Sequence, residues 1–273
     1  MRINNNLMAM NTHRQYAINN NNAAKSTEKL SSGYRINRAG DDAAGLAISE
    51  KMRAQIRGLD MASKNSNDAI SLVQTAEGAL TETHSILQRM RELAVQAASD
   101  TNDDTVDRVA LNDEFQALRS EIDDIASKTA FNGKELLDGN FTAALIQTGA
   151  NEGDQLSISI DSMMAADLGL EDTAVITDQT TASTAIGLVD TAINTVSSTR
   201  AKLGAIQNRL DHKINNLDTS AENLQAAESR IRDIDMAKEM TTFTKNQILT
   251  QASTAMLAQA NQAPQNVLSL LRG

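Results

Sequence analysis

Residues 189–231 read VDTAINTVSSTRAKLGAIQNRLDHKINNLDTSAENLQAAESRI, and they hold one repeat longer than any other part of the chain. Alternate steps of four and three give Val189, Ile193, Val196, Arg200, Leu203, Gln207, Leu210, Ile214, Leu217, Ala221, Leu224, Glu228 and Ile231. Most of these are apolar, and the Gly of the run, Gly204, lies off the seam. A repeat of about 3.5 residues sustained this far is a coiled-coil seam, not the wider face of a globular helix. Its rod would be roughly 65 Å long. A seam of that length needs a partner, and the same stepping from Met52 supplies one: Met52, Ile56, Leu59, Ser63, Ser66, Ile70, Val73, Glu77, Leu80, His84, Leu87, Arg91 and Ala94. The two rods lie on either side of a non-helical middle. The fold expected is mainly α, a long antiparallel helical hairpin or coiled-coil bundle with a small β-hairpin region.

Composition agrees with a slim bundle. Of the 273 residues 41% are hydrophobic but only 2% aromatic, with no Trp and one Pro. A rounded core of this size would use more large rings. A net charge of −10 argues against a nucleic-acid or anionic-membrane partner. No Cys means no disulfide, thiol nucleophile or thiolate metal site. No run reaches the ~18 apolar residues of a membrane span, and MRINNNLMAM lacks the apolar core of a secretory signal. The expectation is a cytoplasmic protein, or one that leaves the cell by another route.

Along the chain, residues 3–32 form a weak first helix with many Asn, closed by Ser31-Ser32-Gly33. Residues 33–45 form a joint with Gly33, Gly40 and Gly45, where Asp41 or Asp42 caps the next helix. Helices are expected over 42–98, 103–130 and 186–231, and a β-hairpin region over 131–177. In that region Leu156, Ile158 and Ile160 alternate with serines, and Phe141 to Gln147 serves as the mate. The Thr-rich stretch 177–184 reads as irregular. Near residue 231 the seam slips, restarting at Met236, Met240 and Phe243. Gln262-Ala263-Pro264 is expected to end the last helix, leaving Val267, Leu268, Leu270 and Leu271 as an apolar knot. Both ends carry stripes too poor in strong helix formers to fold alone, which suits segments that order on assembly. Those stripes are Ile3, Leu7 and Met10 with Met236, Met240, Phe243, Leu249, Met256 and Leu257.

Catalytic chemistry is missing. His13, His84 and His212 are scattered, and Asp41-Asp42 and Asp103-Asp104 read as caps and solvated charge, with no third ligand at useful spacing. No phosphate loop or nucleophile elbow occurs. An enzyme, a cofactor and a metal are not expected.

Four strings carry a resemblance over nearly the whole chain: KLSSGYRINRAGDDAAGLAI at 29–48, ILQRMRELAVQ at 86–96, AAESRIRDIDMA at 226–237 and MLAQANQAPQNVL at 256–268. They resemble bacterial flagellin, in a minimal form without the large outer variable domains. The resemblance implies a structural subunit that polymerises into the helical flagellar filament for motility. It implies that residues 1–40 and 236–273 are the two halves of an inner tube domain, with 41–235 as the outer rod domain. It also implies an extracellular location in the flagellum, reached without a cleaved signal peptide. Partners implied are other copies of the chain, filament cap and junction proteins, and an export chaperone that binds Val267, Leu268, Leu270 and Leu271. Host Toll-like receptor 5 is a further implied partner, through Gln88, Arg89, Leu93 and Glu114. Two other readings fit parts of the pattern, a hook–filament junction protein and a cytoplasmic coiled-coil signalling hairpin.

Overall fold

The computed structural model describes residues 6–103, 106–171 and 174–272, with the backbone path alone for 264–272. By their contacts they form two compact units. Unit 1 comprises residues 1–54 and 223–273, and unit 2 comprises residues 55–222. In chain order the elements are α1 (Leu7–Ser32), α2 (Ala43–Ala97), α3 (Asp107–Lys128), β1 (Ala130–Phe131), β2 (Lys134–Glu135), β3 (Ala144–Gln147), β4 (Gln155–Ile158), α4 (Gln179–Arg232) and α5 (Met236–Arg272).

Unit 2 holds the core. It joins Val73, Leu80, Leu87, Met90 and Leu93 of α2, Phe115 and Ile122 of α3, and Val189, Val196, Leu203 and Leu210 of α4. The two long helices are antiparallel: Arg91 pairs with Asp190 at 2.6 Å, Glu77 with Arg200 at 3.8 Å, and Ser63 Oγ donates to Asp218 at 3.1 Å.

The seam differs from the expected one in half its positions. On α4 the expected Val189, Val196, Leu203, Leu210 and Leu217 are buried, but the residues between them are Ala192 and Thr199 rather than Ile193 and Arg200. On α2 Ser66, Val73, Leu80, Leu87 and Ala94 are kept, and Ala62, Ala69, Ala76, Thr83 and Met90 take the buried places expected of Ser63, Ile70, Glu77, His84 and Arg91, with Ile70 half-buried against the core. The heptad runs three-then-four where large side chains alone suggested four-then-three. Many of the decisive residues are alanines, which are fully or nearly fully buried here and carry little weight in a search for bulk. The displaced Glu77, Arg91, Arg200 and Ser63 flank the seam instead, and supply the cross-helix polar pairs.

Turn and cap chemistry sets the element ends. α4 begins at Gln179, ahead of the expected 186, because Asp178 Oδ1 accepts from the N–H groups of Thr180 and Thr181 at 2.9 and 3.0 Å. The threonines that read as irregular are its first turn. Asn132-Gly133, just beyond α3, turns β1 into β2, with φ of 50° and 76°. Positive φ at both central residues is the turn that matches strand twist. β3 pairs with β4 in the register Ala144↔Ile158 to Gln147↔Gln155. Asn65 Nδ2 of α2 donates to Gln147 O at 3.3 Å, and Gly58 leaves room for Ala150, where an added Cβ would sit 2.9 Å from the Ala150 Cβ.

In unit 1, Gly33 takes the left-handed conformation at φ 76° and closes α1 by donating to Lys29 O at 2.9 Å. Asp42 caps α2 through Gly45 N–H at 2.8 Å, while Asp41 Oδ2 accepts from the N–H groups of Asn37 and Arg38. Those bonds, Arg38 first, hold the Asp41 carboxyl below its usual range. Asp235 caps α5 through Lys238 N–H at 3.1 Å. The two joints meet: Arg35 N–H donates to Arg232 O at 2.7 Å, Ile234 N–H to Gly33 O at 3.1 Å, and the Arg232 guanidinium lies 4.7 Å over the Tyr34 ring.

α5 does not end at Gln262-Ala263-Pro264. It continues through the proline to Arg272. Proline has a helical φ and removes one hydrogen bond, the one its N–H would give to Ala260 O. That carbonyl accepts instead from Asn6 Nδ2 at 2.7 Å.

Candidate functional site: an assembly surface

α1 and α5 run antiparallel within unit 1, as Asn6 reaches Ala260 and Asn19 reaches Ser253. What they bury is small or polar: Asn19 and Ser26 on α1, and Ala260 on α5. Asn19 Nδ2 donates to Ser253 Oγ at 2.9 Å, so a buried amide is satisfied across the pair.

The apolar stripes lie mostly outside that contact. Leu7 is 67% exposed, Met10 64% and Met256 56%, and Met236, Met240 and Leu249 are also exposed. Phe243 and Leu257 are half-buried. Ile3 and the side chains of Val267, Leu268, Leu270 and Leu271 lie outside the described residues. Met8, Ile18 and Ile248 join the exposed set and were missed in sequence, because a single stripe cannot report a helix that is apolar on several sides. Exposed apolar side chains along two adjacent helices mark a surface that meets other protein.

In unit 2, Arg89 Nε donates to Glu114 Oε1 at 2.9 Å and Nη1 to Glu92 Oε2 at 3.2 Å. The Glu114 bond, then Glu92, raises the Arg89 pKa. Gln88 is exposed and pairs with His84 at 3.0 Å. Leu93, the remaining residue of the implied receptor set, lies differently from Arg89 and Gln88. It has no exposed surface and belongs to the core. The spacing of four from Arg89 gives a neighbouring position on the helix, but the α2 seam turns Leu93 inward.

Among the described residues no group of three or more His, Cys, Asp or Glu could hold a metal ion, and no helix is long and apolar enough to cross a membrane. Family comparison decides the matter. Residues 3–142 match the bacterial flagellin N-terminal helical region, and residues 186–271 match the bacterial flagellin C-terminal helical region. The chain belongs to the bacterial flagellin family. It is 60% identical over 276 residues to the flagellin of Halalkalibacterium halodurans and 58% identical over 304 residues to that of Bacillus subtilis, with all of each chain covered in both cases. Among solved structures it is similar to the crystal structure of Bacillus cereus flagellin, with a TM-score of 0.52 and 38% identity over 60% of this chain and 94% of that one. As a flagellin it is a structural protein of the extracellular filament, self-polymerising and not an enzyme.

Proposed function

We propose that this flagellin polymerises through its two ends, residues 1–40 and 236–273 forming the inner tube and 41–235 the outer rod. The observation that carries this is the inversion in unit 1, where α1 and α5 bury Asn19, Ser26 and Ala260 and leave Leu7, Met10, Met236, Met240 and Met256 exposed. Ordering a residue costs on the order of 1 kcal/mol or more. A pair that buries so little cannot offset that cost for both helices, whereas neighbours packed around a tube can. Folding of the ends is thereby coupled to assembly. Limited proteolysis tests it. Monomer should be trimmed to about residues 40–235, filament should resist at the same sites, and the trimmed core should not polymerise. A core that still builds filaments would place the contacts in the outer rod.

The resemblance supports three finer assignments. An export chaperone binds the C-terminal segment through Val267, Leu268, Leu270 and Leu271, whose burial is worth roughly 6–12 kcal/mol before ordering costs. Deletion of 264–273 should abolish chaperone co-purification. The chain leaves the cell without a cleaved signal peptide and meets cap and junction proteins at the filament's ends. Toll-like receptor 5 engages the Gln88, Arg89 and Glu114 surface, with Leu93 supporting it from beneath. If Arg89→Ala and Glu114→Ala leave the response of receptor-bearing cells unchanged, that surface is not the one recognised.

A further inference from the structure

Pro264 stands inside α5 and offers no N–H to Ala260, one helical turn earlier. Ala260 is 6% exposed, so water has little access to make up the loss. Its carbonyl oxygen accepts at 2.7 Å from the side-chain amide of Asn6, at a sequence separation of 254. The same amide group works at its other atom. Asn6 Oδ1 accepts from Ala9 N–H at 3.1 Å and caps the first turn of α1, while the Asn6 carbonyl receives Met10 N–H at 3.1 Å.

We propose that Asn6 is a register pin, one side chain that starts α1 and fills the hydrogen-bonding gap Pro264 makes in α5. This rests on the reading that the paired ends carry assembly, and it assigns the longitudinal setting of the pair to Asn6. An α-helix without a proline presents no unmatched interior carbonyl, so one helix can slide along another with no backbone group to find. The proline marks a single level on α5. The amide is suited to that level because it carries an acceptor and a donor on one planar group, so it caps its own helix while donating to the other. Asp, Ser and Thr are also good caps, but a carboxylate has no donor when ionised and a hydroxyl is shorter. Asn19, which donates to Ser253 Oγ further along the pair, fixes the same register by a side-chain partner. Shape alone does little here, because the buried residues of α1 are Asn19 and Ser26.

The test is a cycle in the full-length chain, with the critical concentration for filament growth as readout. Asn6→Asp and Asn6→Ser each keep a cap acceptor and remove the amide donor. Pro264→Ala restores an N–H to Ala260. In the Pro264 background both Asn6 variants should raise the critical concentration about tenfold, the size of effect expected when a buried carbonyl loses its partner. In the Pro264→Ala background the same changes should cost less than about twofold, because the helix then satisfies its own carbonyl. Equal costs in the two backgrounds would overturn the pin, as would no cost in either. Leu7→Ser separates the two levels of the argument. If Leu7→Ser impairs growth and the Asn6 variants do not, the pin fails and assembly through the ends stands. If Leu7→Ser also has no effect, the reading beneath the pin fails.

Discussion

In unit 2, Leu80, Leu87, Met90 and Leu93 have no exposed surface, while in unit 1 Leu7, Met10 and Met256 keep more than half of theirs. The ends are poorer in strong helix formers, but both regions carry large apolar side chains, so the presence of those side chains does not separate them. Geometry does. In unit 2 the buried side chains of α2 share one core with α3 and α4, and many of its smaller members are alanines. In unit 1, α1 and α5 fully bury Asn19, Ser26 and Ala260, while Phe243 and Leu257 are half-buried and most of the other large apolar side chains are exposed. Unit 2 completes its core within one chain, whereas on the proposed reading unit 1 completes its own with other copies.

Four variants would break or sharpen this contrast. The largest effect is expected from Leu7→Ser with Met256→Ser, which removes two side chains each worth about 1.5–3 kcal/mol when buried. Growth should be lost at concentrations where the unchanged chain forms filaments, and the thermal transition of the monomer should stay put. A lowered monomer transition would mean that these residues already have partners within the chain. Leu87→Ala should do the reverse, costing the monomer about 2–5 kcal/mol in denaturant unfolding, because it opens a cavity at a fully buried site. Next comes Ala76→Leu, which overfills a fully buried position of the seam and should cost about 1–3 kcal/mol by the same measurement. A neutral result there would mean that the helices are free to move apart.

The smallest effect concerns acid. Glu50 accepts from Arg232 at 2.9 Å, and that bond, aided by the nearby Arg53 charge, holds its carboxyl below the usual range. A depressed folded pKa adds stability above the unfolded value, about pH 4.3 for Glu, and that stability is lost as pH falls through the folded value. Glu50→Gln should therefore flatten the low-pH side of the unit 1 stability profile and leave neutral pH nearly unchanged. A profile as steep as before would assign the acid sensitivity to another group, with Asp41 the first to try.

The long helices and the β3–β4 hairpin were legible because periods of 3.5 and 2 are written in large side chains. The missed half of the seam was not, since Ala62, Ala69, Ala76 and Ala192 are neutral in a count of bulk and only three-dimensional closeness makes them core. The early start of α4 could have been read from Asp178 ahead of Thr180 and Thr181, and the β1–β2 turn from Asn132-Gly133. Pro264 misled for a different reason. The partner that compensates it, Asn6, lies at the far end of the sequence, and no local rule reaches that distance.

The separation of 254 residues between Asn6 and Ala260 also sets an order of events. A chain made from its N-terminus produces α1 first and its partner α5 last. Everything in residues 55–222 can find its place before Ala260 exists, and closing so long a loop is itself a slow, late step. The α1–α5 pair is therefore a signal of completeness. A chain cut short anywhere before α5 can fold its middle and still lack the one contact that only a finished chain can make.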